Sequence, residues 1–376
     1  MADPILDELN LTTREEIYPE VIEDNFFLDA PFLAYARNHM LVPFGGGSRM
    51  QNTFLYAPMI GGFYAKGDSF NVTKRQTLAG TVFDPKYVEV SVPEYKEDIQ
   101  VTNKGPLAVF SLIETDLANS MQTISAIVGI GLSLHGQPSS SQIIGNRPKA
   151  MNGWIEAINN GIDPGWDGSI FTAYGTAPRN GVVKSALNST PYWCGDQLGN
   201  PGMLSYSMML ESYTDACIGR ERPNLGVANK AALAYAKERL EVKQRIATET
   251  DPIWGVKGFR FEDAMMLQDD YFPSLKYGTN DPNLGNYLTG SFTTPAAPSA
   301  QSNFPASTSC TVGEVLAFFN TRKWLFRISD DKEYGFGFSG FVPAQDNTKV
   351  VGQIKAMCNL ECTAPRLQKQ LVGIGG

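Results

Sequence analysis

Two histidines, His39 and His135, and five cysteines, Cys194, Cys217, Cys310, Cys358 and Cys362, are all that this chain offers for imidazole or thiolate chemistry. A histidine-based triad, a zinc protease or a multi-histidine metal site would have to use both imidazoles, which lie in different units. Neither stands in the HExxH setting that places two zinc ligands one helical turn apart. Cys358 and Cys362 share one face of a segment that reads as a strand, ~13 Å apart at strand rise. That separation excludes a disulfide or a common metal, and the pair reads as buried, inert thiols. "PFGGGSRMQ" has the glycines of a phosphate loop but lacks the GxxxxGK[ST] pattern, so it reads as a joint. "WIEAINNGIDPGWDGS" gathers Glu156, Asp163 and Asp167 without EF-hand spacing or a closing Glu, and reads as a solvated turn. No carboxylate pair stands out for glycoside hydrolysis, whose partners can come from distant points of a chain. No cofactor and no metal are expected.

The totals narrow the classes further. The 376 residues are 43% hydrophobic and 19% charged, enough for a substantial buried core in two or three domains. Abundant glycine (36) and proline (23) favour turns and short strands over a helical bundle. A net charge of -8 argues against a protein that grips nucleic acid through a basic face. The runs "RER" (220–222) and "KQR" (243–245) are interleaved with Glu and read as solvated faces. The acidic start "MADPILDELN" lacks the basic-then-apolar order of a secretory signal. With the odd, scattered cysteines it leads us to expect a reducing compartment, where the sequons at Asn71 and Asn188 are chance matches.

The elements come next. Residues 1–43 form an arm, acidic at first and then aromatic, with Phe26, Phe27, Phe32 and Tyr35. Asp29 and Pro31 suit a helix start. An arm of this length has no core of its own and must dock on its own body or on a neighbour. After the Gly45–Gly47 joint, "NTFLYAPMIGGFYAKGDSF" and "LAGTVFDPKYVEVSV" flank the polar tip "NVTKRQT" and predict a long, bent hairpin. Extended, the stretch Phe54 to Phe70 reaches ~50 Å. An isolated ribbon of two strands is marginal, so this one needs a surface to lie on. "KYVEVSVPEYKEDIQVTN" alternates Val88, Val90 and Val92 against Tyr87, Glu89 and Ser91, the pattern of a strand with one covered face.

Between Asp116 and Arg147 there is no charged side chain. Too many Asn, Ser, Gln and Thr interrupt the segment for a membrane span. It predicts a helix over about 111–136 with Ile113, Leu117, Met121, Ile124 and Val128 on one face. The opposite face, Thr115, Asn119, Gln122 and Ser133, is polar but uncharged, which suits contact with other protein surface; a core helix in a larger domain fits as well. Residues 150–318 read as a separate α/β domain with helices over 203–217 and 229–245, a strand or strand pair at "GVKGFRFEDAMMLQDD" and a mobile surface loop over 293–309. The tail, "RKWLFRIS … GFGFSGFVP … KVVGQIKAMCNLECTAPRLQKQLVGI", reads as several antiparallel strands.

This order of units resembles the major capsid proteins of tailed bacteriophages, with the α+β Hong Kong 97-like capsid fold. The likeness covers nearly the whole chain: 1–43 as N-arm, 44–86 as extended loop, 87–149 as peripheral domain with its spine helix, 150–318 as α/β axial domain and 319–376 as returning strands of the peripheral domain. "GFRFEDAMMLQDDYFP" and "GQIKAMCNLECTAPRLQKQLVGI" carry it most specifically. The resemblance implies a self-assembling, non-enzymatic coat protein that forms hexamers and pentamers of an icosahedral shell in the virion, assembled in the host cytoplasm. It implies intersubunit contacts through Lys66, Asp68, Lys74 and Arg75 on the loop and through Phe26, Phe27, Phe32 and Tyr35 on the arm. Leu117, Met121, Ile124 and Val128 would mark the spine helix. Partners implied are a separate scaffolding protein, a portal protein and, in some members, a decoration protein. Double-stranded DNA is enclosed without sequence-specific binding, and no membrane is involved. Some members cross-link through a loop Lys; nothing marks Lys66 or Lys74 as reactive, so non-covalent locking is expected. Two rivals stand beside this reading. One is an encapsulin-like compartment subunit, although those chains resemble shorter forms. The other is a β-rich hydrolase or carbohydrate-binding protein using Trp154, Trp166, Tyr174 and a carboxylate pair.

Overall fold

Pro31 sets the first helix of the described residues, because its ring fixes φ for a first turn and its missing N–H has no partner to lose there. That helix, α1, runs Pro31–His39. In this computed structural model the described residues are 30–70, 72–95, 112–136, 150–162, 170–179, 193–241, 248–250, 257–272, 314–343 and 349–375. Phe26, Phe27, Asp29, Asp163, Trp166, Asp167 and the 293–309 segment lie outside them.

The strands before the long helix are β1 (Leu41–Phe44), β2 (Met50–Leu55), β3 (Leu78–Phe83) and β4 (Lys86–Tyr95). Helix α2 (Leu112–Gly131) and the short α3 (Trp154–Ile158) follow, then β5 (Ala173–Tyr174), β6 (Ala177–Pro178) and β7 (Asp196–Met203). Next come α4 (Tyr206–Asp215), β8 (Leu225–Ala228), α5 (Lys230–Glu241), β9 (Thr248–Thr250), β10 (Lys257–Phe261) and β11 (Ala264–Gln268). The last strands are β12 (Glu314–Phe319), β13 (Trp324–Ser329), β14 (Gly335–Phe338), β15 (Val342–Pro343), β16 (Lys349–Cys362) and β17 (Lys369–Gly375).

A six-stranded sheet is built on β16, which spans 14 residues and pairs antiparallel with β4 from Cys358↔Lys86 to Lys349↔Tyr95. Its other edge takes β13, β14 and β15, and β1 adds to β13 in parallel. Val88 and Val90 of β4 pack with Ile354 and Ala356 of β16 against Ile124 and Leu117 of α2. Tyr87, Glu89 and Ser91 point to the open face.

A seven-stranded sheet runs β7-β17-β12-β8-β11-β10-β9. All six residues of β12, "EVLAFF", are buried because both faces are covered. Leu316 and Phe318 meet Met209 and Tyr213 of α4 and Ala232, Leu233 and Ala236 of α5. Val315, Ala317 and Phe319 join the main core with Trp154, Trp324 and Phe326. This main core includes residues of both sheets. Strand β17 lies in the seven-stranded sheet, antiparallel to β12 and parallel to β7. The 319–376 unit, expected as one set of peripheral strands, therefore divides between the two sheets. The short 3-10 turn Pro365–Leu367 carries the chain from one to the other.

Helix α2 differs from the expected one-faced stripe. Its burial divides along its length: Ile124, Ala126, Val128 and Ile130 are buried, whereas Met121 is 39% exposed. Leu117 still meets the sheet, and the residues beyond the helix, Leu132 to Gly136, are buried. Gly153 permits the close approach that follows. Its N–H donates to Leu134 O (3.1 Å) and Trp154 N–H to Leu132 O (2.8 Å). A Cβ at 153 would stand 2.3 Å from the Leu134 carbonyl oxygen. Among the described residues, no helix is long and apolar enough to cross a membrane.

Candidate intersubunit surface

Among the described residues, the two histidines weighed first in the sequence do not come together. His135 is buried edge-on to Phe171, and His39 is exposed beside Tyr35, so the two imidazoles stand in different settings. Among the described residues, no three His, Cys, Asp or Glu side chains are grouped to hold a metal. Cys358 and Cys362 are fully buried on β16, and burial pushes both thiols up to about 12. Trp154 and Tyr174, expected in an aromatic pocket on the hydrolase reading, are core side chains with no exposed surface. Trp154 stacks on Phe272 at 4.9 Å and donates its indole N–H to Ser133 Oγ. Glu156 is no solvated turn residue: it is buried, accepting from Gly136 N–H and from Asn152 Nδ2.

What the fold does present is the loop between β2 and β3. Its root is a ribbon of six residue pairs, Met50↔Phe83 through Leu55↔Leu78. Alternation turns Met50, Asn52 and Phe54 inward. Phe54 stacks on Trp193 at 4.0 Å, and Phe83 packs against Tyr174 at 5.0 Å. Asn52 Nδ2 donates to Glu361 Oε2 (2.7 Å), and Val82 N–H donates to Thr176 Oγ1 (3.2 Å).

Beyond Leu55 the described chain forms no strand until Leu78. The hairpin is thus paired over a shorter span than expected, as suits two strands with no third to lie on. Met59, Phe63, Tyr64, Phe70 and Val72 are exposed there, Phe63 fully and Val72 at 91%. Their nearest ordering is local: Tyr64 meets Phe70 edge-on at 4.9 Å, and Ala65 N–H donates to Asp68 Oδ2 (2.7 Å). Asp68 therefore shapes its own turn. Lys66, Lys74 and Arg75 are exposed on the same segment.

On the open face of the six-stranded sheet lies a groove of 870 Å³ lined by Phe44, Tyr87, Glu89, Asp331, Tyr334 and Lys355, among others. Tyr87 and Tyr334 meet edge-on at 6.2 Å, and Lys355 bridges to Glu333 at 3.0 Å. No feature of the sequence marked this groove, because its lining is drawn from four separate stretches of chain.

The arm residues separate. Phe32 is 3% exposed, packed on Phe319 at 5.2 Å and Phe272 at 6.5 Å, so this ring, expected to clamp a neighbour, is engaged in its own core. Tyr35 is half-buried and stacks on His39 at 4.3 Å. Sequence reasoning missed Asp269, whose buried carboxylate accepts the N–H groups of Phe32 and Tyr271, each at 2.8 Å. Its acceptance from Phe32 replaces a side-chain cap, which Ala30 cannot give.

No family model matches the chain, and no curated protein matches it in sequence. Solved structures do match it. The capsid of cyanophage A-1(L) aligns with a TM-score of 0.59 at 11% identity, over 97% of this chain and 99% of the other. The capsid of a native GTA particle aligns at 0.56 and 10% identity, over 96% and 95%. The holo-SrpI encapsulin complex of Synechococcus elongatus aligns at 0.55 and 10% identity, over 100% and 96%. At such identity and coverage these likenesses show the fold: the chain has the Hong Kong 97-like capsid fold.

Proposed function

We propose that this chain is the major capsid protein of a tailed bacteriophage, a structural subunit that closes as hexamers and pentamers into a shell around double-stranded DNA. The observation that carries the reading is the 56–77 loop. It projects large apolar side chains into solvent from a root seated on buried rings. Large exposed apolar side chains gathered on one loop mark a surface meant to be covered by protein. The groove on the open face of the six-stranded sheet is the seat we assign to it on a neighbouring copy. The loop brings cationic Lys66, Lys74 and Arg75, and the groove offers Glu89 and Asp331. The acidic chain encloses DNA without gripping it, which leaves packing and release unhindered. Residues 1–43 act as the arm, with its end anchored through α1. A scaffolding protein, a portal and possible decoration proteins complete the assembly, which takes place in the host cytoplasm.

A cargo-holding compartment is the second reading, favoured by the encapsulin likeness over the full chain. Both readings predict megadalton polyhedral particles by light scattering and electron microscopy, with or without a co-expressed scaffolding partner. Enclosed nucleic acid supports the capsid, and enclosed protein cargo supports the compartment. Replacing Phe63 and Tyr64 together by Ser should leave the subunit folded, with stability changed by no more than about 0.5 kcal/mol, while abolishing particles. A chain that stays monomeric under every condition would overturn both readings.

A further inference from the structure

At the root of the loop two buried oxygens, Glu361 Oε1 and Thr81 Oγ1, have no hydrogen-bond partner among the described residues. Thr81 and Asn52 are a cross-strand pair of the β2–β3 ribbon, so their side chains share one face. Asn52 reaches Glu361 Oε2 on that face at 2.7 Å. Glu361 thus joins the ribbon to β16 with one oxygen satisfied and the other orphaned, in a side chain with no exposed surface. Its nearest cation is Arg327 of β13, at a long 3.5 Å and 20% exposed. Tyr174 of β5 and the neighbouring Cys362 are further titratable groups near it, the Tyr174 hydroxyl accepting from Cys362 N–H.

We infer that Glu361 is a proton-operated latch at the root of the projecting loop, holding the β2–β3 ribbon closed when neutral and releasing it when ionised. A neutral carboxyl accepts from Asn52 and tolerates burial. An ionised one leaves a full charge with an unpartnered lone-pair site away from water, and opening the ribbon hydrates it. Burial raises the carboxyl above its ordinary range, while Asn52 and Arg327 pull it back. Once the ribbon opens, the group returns to ordinary carboxylate behaviour. Closure is therefore favoured at low pH and weakens as pH climbs from the ordinary carboxylate range through the raised value, levelling off above it. The inference concerns the subunit alone and stands or falls independently of shell assembly.

Hydrogen–deuterium exchange of the unassembled chain tests it, following ribbon amides in 50–55 and 78–83 after correction for intrinsic exchange. Their protection should fall by up to about tenfold per pH unit within that window. Glu361→Gln, neutral at every pH, should give a flat profile, and Arg327→Gln should extend the upper end of the window to higher pH. Asp269→Asn should leave the ribbon profile unchanged. Parallel profiles for wild type and Glu361→Gln would overturn the latch, as would loss of the slope in Asp269→Asn. If Glu361→Gln does not fold, an Arg327→Gln window that stays in place overturns it equally.

Discussion

Asp269 is a carboxylate held where water cannot reach it, and the fold uses it to start a helix it does not belong to. Burial raises its pKa to about 7, outweighing the backbone N–H groups of Phe32, Tyr271 and Phe272, and Asp270 beside it adds to the rise. In the unfolded chain the same group titrates near the ordinary value of 3.8. The folded state consequently binds a proton that the unfolded state gives up between those two values. Its contribution is present in full below the unfolded value and is lost as pH rises through about 7. Urea unfolding of the unassembled chain from pH 3 to 8 should show this loss in wild type and not in Asp269→Asn. The difference between the two should change by about 4 kcal/mol across the window. Equal pH dependence in both would remove Asp269 from the account.

At the scale of elements, α2 carries the clearest lesson. Its sequence has an apolar stripe, yet only the part under the six-stranded sheet and beside α1 uses it. Ile124 meets Val88, Val90, Ile354 and Ala356, while Met121, one turn earlier, is 39% exposed. Ile124→Ala should therefore cost about 2–4 kcal/mol of subunit stability, the cavity-forming range. Met121→Ala should stay within about 0.5 kcal/mol. Comparable losses at both sites, measured by urea midpoint at constant slope, would mean that the stripe is buried along its whole length in the isolated subunit.

The described residues pair a main core shared by both sheets with a loop between β2 and β3 whose large apolar side chains beyond Tyr56 stand mostly in solvent. Met59, Phe63, Phe70 and Val72 are exposed at a cost that a lone subunit never recovers, and this is the argument for assembly. If covering those apolar side chains drives association, the driving force weakens on cooling. Light scattering should then show more particle at 25 °C than at 4 °C at equal protein concentration. Assembly that improves in the cold would point to polar contacts such as those of Lys66, Lys74 and Arg75 instead.

The sequence alone determined the strand carrying Cys358 and Cys362, the long helix and the helix that begins at Pro31. Local chemistry governs these: period-two alternation makes strands, 3.6-period apolar spacing makes a helix, and Pro31 starts one. Tertiary structure alone decided where each element finds its partner. Nothing within "LQKQLVGI" shows that β17 adds to β12 and β7, since strand pairing is a long-range choice made by whichever edge is open. Phe32 and Phe63 are the same residue type in similar aromatic company, yet one is buried on Phe319 and the other stands in solvent. Nothing within "AMCNLEC" marks a buried role for Glu361, because its partners Asn52 and Arg327 come from two other strands. Spacing along a chain sets which face a side chain takes; only the packed fold sets what lies opposite that face.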